Sequence, residues 1–120
     1  MIYLDNAATT FQKPAAVQRA VMQAMRTMSS PGRGGYAAAQ QAEETLFRCR
    51  SAAAALFSVP SVEQVVFTMN ATHALNIAIK SLVRPGGRVV ISGYEHNAVT
   101  RPLHALGAEV IVAAAPLFSP

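Results

Sequence analysis

Apolar positions along this 120-residue chain follow two rhythms. One is helical. Val17, Val21, Ala24, Met25 and Met28 mark one face of a helix that Pro14 opens and that ends near Ser29-Ser30-Pro31. Ala39, Ala42, Leu46, Cys49, Ala53 and Leu56 alternate spacings of three and four, which predicts a long amphipathic helix over 37–57. That register places Cys49 on the packed stripe and lets Glu44 pair with Arg48 on the wet face. Leu75, Ala78, Ile79 and Leu82 form the stripe of a third helix, 71–83, and a fourth runs from Ala98 to Leu106 and stops at the C′ glycine Gly107. The other rhythm is a set of short β-branched runs at 64–68, 88–92 and 109–113. Strands alternating with helices predict an α/β fold, a parallel sheet covered by helices, with residues 1–14 as an extended arm ahead of it.

The stretch Phe67–Lys80 joins the first expected strand to its helix through the polar turn Thr68–His73. Asn70 is a good N-cap residue, and Thr72 places a hydroxyl beside it. First-turn amides have no partner inside a helix, and the helix dipole puts positive potential there, so the turn is suited to an anion such as a phosphate. The same residues also describe a capped helix with nothing bound. Gly93–Asn97 follows the second strand and carries His96, an imidazole able to stack on a flat ring or exchange a proton. His96 is equally well read as a loop histidine in water. The carboxyl ends of parallel strands share one edge, so the two loops are expected there together. An anion beside a planar ring points to a phosphorylated heteroaromatic cofactor.

Other features carry less. Asp5-Asn6 reads as a turn, not a metal fragment, and no second ligand cluster accompanies it. The loop Pro31–Gly35 holds Arg33 among three glycines but matches neither glycine-rich nucleotide fingerprint. His104 reads as solvent-facing, and the backbone N–H of His73 matters more than its ring.

Composition narrows the classes. The chain is 52% hydrophobic and 13% charged with a mean hydropathy of +0.27, and part of the apolar excess is alanine. No apolar run approaches the roughly 20 residues of a membrane span. Met1–Asn6 lacks the basic flank and apolar core of a signal peptide. The single cysteine rules out an internal disulfide, and a reducing, cytoplasmic setting fits. The net charge is +4, but the arginines are scattered and do not interleave with aromatic residues, which argues against nucleic acid.

Four motifs then stand out together: Tyr3-Leu-Asp-Asn-Ala-Ala-Thr-Thr10, Pro31-Gly-Arg-Gly-Gly-Tyr36, Phe67-Thr-Met-Asn-Ala-Thr-His-Ala-Leu-Asn76 and Glu95-His-Asn-Ala-Val-Thr-Arg-Pro-Leu103. In order and spacing they resemble the class V aminotransferase family, of fold type I, and most of all its cysteine desulfurase and selenocysteine lyase branch. The resemblance implies pyridoxal 5′-phosphate as cofactor. It implies that Ala71, Thr72 and His73 receive the phosphate and that His96 stacks on the pyridine ring. Ala7, Ala8 and Arg33 would lie near the substrate entrance. The chain would be the N-terminal portion of the family domain. Residues 1–35 would be the arm, first helix and glycine loop, and 36–120 the start of an incomplete large domain. The complete protein would act on L-cysteine or a similar amino acid, leave an enzyme persulfide, release alanine and form a homodimer.

Members of that family are much longer than this chain. The lysines here are Lys13, in the arm, and Lys80, on a helix well away from the cofactor turn. Neither is a candidate for the Schiff-base lysine, and the family's ring aspartate, persulfide cysteine and carboxylate-binding arginine fall beyond residue 120. No catalytic residue is therefore assigned. In the family fold the 64–68 strand lies across the sheet from the other two, separated by strands this chain does not contain. The 120-residue chain by itself is accordingly expected to be unstable or only partly ordered. Two other readings stay open: a non-catalytic fragment or interaction module, and a small flavodoxin-like domain for a different phosphate ligand.

Overall fold

A computed structural model describes residues 2–114, which fall into two compact units, Met1–Val66 and Phe67–Pro120.

The first unit begins with the arm. Asp5 and Asn6 turn the chain as expected: the Ala8 amide donates to the Asp5 carbonyl at 3.2 Å, and the Tyr3 hydroxyl donates to the Asp5 and Thr9 carbonyls. The Tyr3 and Phe11 rings stack at a tilt, with centroids 5.2 Å apart. Helix α1 spans Ala15–Thr27, directly after Pro14, and buries none of its residues. In the following loop Gly32 takes a positive φ of 72°, and a Cβ on Gly34 would meet the Tyr36 ring at 2.5 Å. The Tyr36 hydroxyl in turn lies 2.6 Å from that of Ser29, which ties the two ends of the loop together. Helix α2, Ala37–Leu56, is followed by a short 3₁₀ turn at Val62–Gln64 that contacts it.

Three expectations for this unit fail. Cys49 is exposed rather than packed, and Leu46 and Leu56 on the same stripe are exposed too. No element of the unit covers that length of α2, whose buried residues are Ala39, Ala42 and Ala54. Glu44 and Arg48 do not pair: the ion pair among the described residues joins Arg88 to Glu109. The strand expected at 64–68 does not form, although Val65 has extended dihedrals (φ −98°, ψ 116°). A strand exists only through its neighbour's hydrogen bonds, and none is offered here.

The second unit holds the sheet. Helix α3, Ala71–Leu82, leads through the Arg84–Gly87 turn into strand β1, Arg88–Ser92. Helix α4, Asn97–Ala105, then returns the chain to strand β2, Glu109–Ala113, which lies parallel to β1 with Val89 opposite Val110 and Ile91 opposite Val112. The predicted three-stranded β-α-β-α-β order is thus realised as two parallel strands and their helices. The Gly86 amide donates to Leu106 and the Glu109 amide to Gly87, pinning the start of both strands. Gly107 follows α4 with φ 62°, the C′ role its position predicts. Val89, Ile91 and Val110 are half-buried, and Leu103 on α4 is the largest fully buried side chain. The other sheet face is open, with Val90 and Ile111 exposed. Parallel sheets normally cover both faces, so this one is partial.

Candidate functional site

The site is built on the N-termini of α3 and α4, both within the second unit. At α3, Asn70 leaves the helical conformation (φ −168°, ψ 172°), and its Oδ1 accepts the His73 amide at 2.9 Å. The Thr68 hydroxyl donates to the Asn70 carbonyl at 3.0 Å, bracing the turn from the other side. The Ala71 and Thr72 amides and the Thr72 hydroxyl make no hydrogen bond among the described residues. The His73 amide, by contrast, is already engaged by the Asn70 carboxamide. Two amides and one hydroxyl therefore remain as free donors at the positive end of a 12-residue helix.

At α4 the cap is a histidine. His96 Nδ1 accepts the Ala98 amide at 3.0 Å, so the neutral ring carries its proton on Nε2. This bond fixes one edge of the imidazole, while the residue stays exposed. The preceding turn is held by the Ser92 hydroxyl, which donates to the Glu95 carboxylate at 2.9 Å and accepts the Tyr94 amide.

Helices α3 and α4 pack against each other, and Thr72 and His96 line one open cleft of about 430 Å³ between them. Ala71 and His73 flank Thr72 in the first turn of α3. Thr72 and His96 are brought together by the packing of α3 on α4, not by strand ends on a shared sheet edge as expected, because the 64–68 strand is absent. The same cleft is lined by Asn76, Lys80, Asn97 and Arg101. Sequence reasoning left these four unassigned. The signal for Asn76 and Lys80 was the 72, 76, 80 series, one polar row at i, i+4 spacing beside the apolar stripe, and Asn97 and Arg101 are likewise four residues apart on α4. Lys80 stands about 12 Å from Thr72 along the axis, two turns away but in the same cleft.

Ala7, Ala8 and Arg33 belong to the first unit, Ala7 and Ala8 in the arm turn and Arg33 in the glycine loop. His104 is exposed, as its position predicts. Among the described residues no group of histidines, cysteines and carboxylates is arranged to hold a metal ion, and no helix is long and apolar enough to cross a membrane.

Capped helices around a short parallel sheet, with a candidate anion cup beside a capping histidine, place the chain in the α/β class. Comparison with known proteins makes this specific. The model of the aminotransferase class-V family matches residues 2–116, and the chain belongs to that family. Its relatives include a cysteine desulfurase of Pectobacterium carotovorum subsp. carotovorum, 28% identical over 110 residues, covering 88% of this chain and 27% of the relative. The cysteine desulfurase IscS of Neisseria meningitidis serogroup A is 32% identical over 116 residues, covering 91% of this chain and 28% of the relative. Among solved structures, the cysteine desulfurase CsdA (S-sulfonic acid) from Escherichia coli superposes with a TM-score of 0.65 at 25% identity, covering 92% of this chain and 30% of that one. The chain thus spans about a quarter of the length of the curated relatives it matches.

Proposed function

We propose that this chain is the cofactor-phosphate part of a pyridoxal 5′-phosphate enzyme that removes sulfur from L-cysteine or a close analogue such as selenocysteine. The observation that carries the reading is that Thr72 and His96 line one cleft, with free amides at the head of α3. The donor set fits a phosphate: two unengaged amides, a free hydroxyl, a helix dipole, and no carboxylate among the residues lining the cleft. Ala71 and Thr72 bind phosphate oxygens through their amides, and Thr72 adds its hydroxyl. His73 shares its amide with Asn70. His96 covers the ring, its plane fixed by the bond from the Ala98 amide. When bound, the cofactor supplies the electron sink for bond-breaking in the amino acid.

The remaining chemistry lies outside these residues. The Lys13 ammonium donates to the Thr10 carbonyl, and Lys80 stands two turns from the cup. In this reading the lysine, the ring-nitrogen partner and the persulfide cysteine come from sequence beyond residue 120, as do the partner protomer's contacts in a homodimer. Ala7, Ala8 and Arg33 approach the substrate in that complete protein. Its division at 35/36 into an arm region and a large domain, and its place in a reducing cytoplasm, belong to the same proposal.

Titration of the chain with pyridoxal phosphate, followed by absorbance and fluorescence, tests the reading. Thr72→Val and His96→Asn should each weaken binding by about tenfold, the equivalent of one lost charge-assisted hydrogen bond or stacking contact. Asparagine keeps a capping acceptor at position 96, so that change separates the ring's role from the cap's. Binding indifferent to both substitutions defeats the proposal. Preference for a nucleotide over pyridoxal phosphate would favour a flavodoxin-like site instead.

A further inference from the structure

The far end of the α3–α4 cleft has a character of its own. Lys80 and Arg101 line it from opposite helices, both are exposed, and neither makes an ion pair or hydrogen bond among the described residues. Asn76, one turn from Thr72 on α3, and Asn97, at the start of α4, line the same cleft. Asn76 spends one amide proton on the Thr72 carbonyl at 3.0 Å and keeps its own oxygen free. The floor is Ala98, Pro102 and Ala105, small and apolar. No aspartate or glutamate lines the cleft, so its lining carries two cations and no carboxylate to offset them. At about 12 Å from Thr72 along α3, Lys80 is too distant to share a phosphate held at the head of the helix.

We infer that the Lys80–Arg101 end of this cleft is a docking groove for an acidic peptide segment, independent of the cofactor reading. An aspartate or glutamate side chain entering between the helices meets the Arg101 guanidinium fork from one helix and the Lys80 ammonium from the other. The carboxamides of Asn76 and Asn97 are able to pair with the peptide backbone, and the apolar floor takes the side-chain methylenes. A nucleic acid is the poorer fit, because no aromatic residue lines the cleft to stack a base.

The test uses the 120-residue chain and a fluorescein-labelled, glutamate-rich peptide of about ten residues, followed by anisotropy at low salt, where screening is weak. The double variant Lys80→Glu/Arg101→Glu should bind at least about tenfold more weakly, the scale on which mispaired interfacial charges act. Arg19→Glu/Arg26→Glu, on exposed positions of α1, brings the net charge of +4 to the same zero and should change affinity less than about twofold. Should the reversed-charge variant lose its far-UV helix signal, Lys80→Gln/Arg101→Gln replaces it with the same expectation. Equal losses in the cleft and control variants overturn the inference, as does failure of the acidic peptide to outbind its glutamine counterpart. Binding of a single-stranded oligonucleotide in place of the peptide overturns it as well.

Discussion

Helix α2 is 20 residues long and buries three alanines, whereas α4 has nine residues and buries Ala98, Pro102 and Leu103. The contrast holds for their whole units. In the first, α1 keeps Val17, Val21 and Met25 exposed, although these belong to its apolar stripe. In the second, a short helix lies between two paired strands, and one leucine is 1% exposed at its centre. An apolar stripe is a requirement for a partner and does not show that one is present. Strand β1 meets that requirement locally because β2 follows within one crossover, so α4 is held at both ends. Helices α1 and α2 have no such neighbour in their unit. The Nε of Arg50 on α2 is enclosed yet has no hydrogen-bond partner, another sign of contacts left unmade.

Several substitutions would break or sharpen this comparison. The largest effect should come from Leu103→Ala, which removes the main buried side chain of the second unit. A loss of about 3 kcal/mol is expected, and faster hydrogen exchange of the α4 amides would report it. Met25→Ala in the first unit, by contrast, should leave a urea melt unchanged, because that side chain is 77% exposed. If the two changes cost the same, the contrast between the units fails. Asn70→Ala removes the α3 cap and should cost about 1 kcal/mol, read as faster exchange of the His73 amide with α4 unaffected. Gly107→Ala places a Cβ at φ 62° and should cost up to about 1 kcal/mol in thermal unfolding, with the loss confined to the second unit. Among the changes expected to cost stability, the smallest is Glu109→Gln. It opens the exposed Arg88–Glu109 pair, 2.9 Å apart, and should cost less than about 0.5 kcal/mol, a difference that disappears in 1 M salt.

Much of the local structure was legible in the residues. Pro14, Asn70 and Gly107 mark helix ends through fixed φ, a capping acceptor and tolerance of positive φ, and each stands within a residue or two of its expected place. The strands at 88–92 and 109–113 appear with the boundaries their β-branched runs give. The run at 64–68 has the same kind of sequence and stays unpaired, because pairing depends on a neighbour that periodicity cannot supply. Cys49 failed in the same way: its stripe was read correctly, and nothing covers it. The polar row Thr72, Asn76, Lys80 was visible as spacing, but its meaning depended on α4 facing it.

Sequence alone determined where helices begin and end, which runs have strand character, and which family the motifs resemble. These follow from dihedral preference, capping chemistry and side-chain periodicity, all set by residues a few positions apart. Only the tertiary structure decided that Thr72, Lys80, His96 and Arg101 share one cleft, and that half of the apolar stripe of α2, Leu46, Cys49 and Leu56, stays open. Those outcomes depend on which surfaces meet across many residues, and burial is gained only where a second surface arrives.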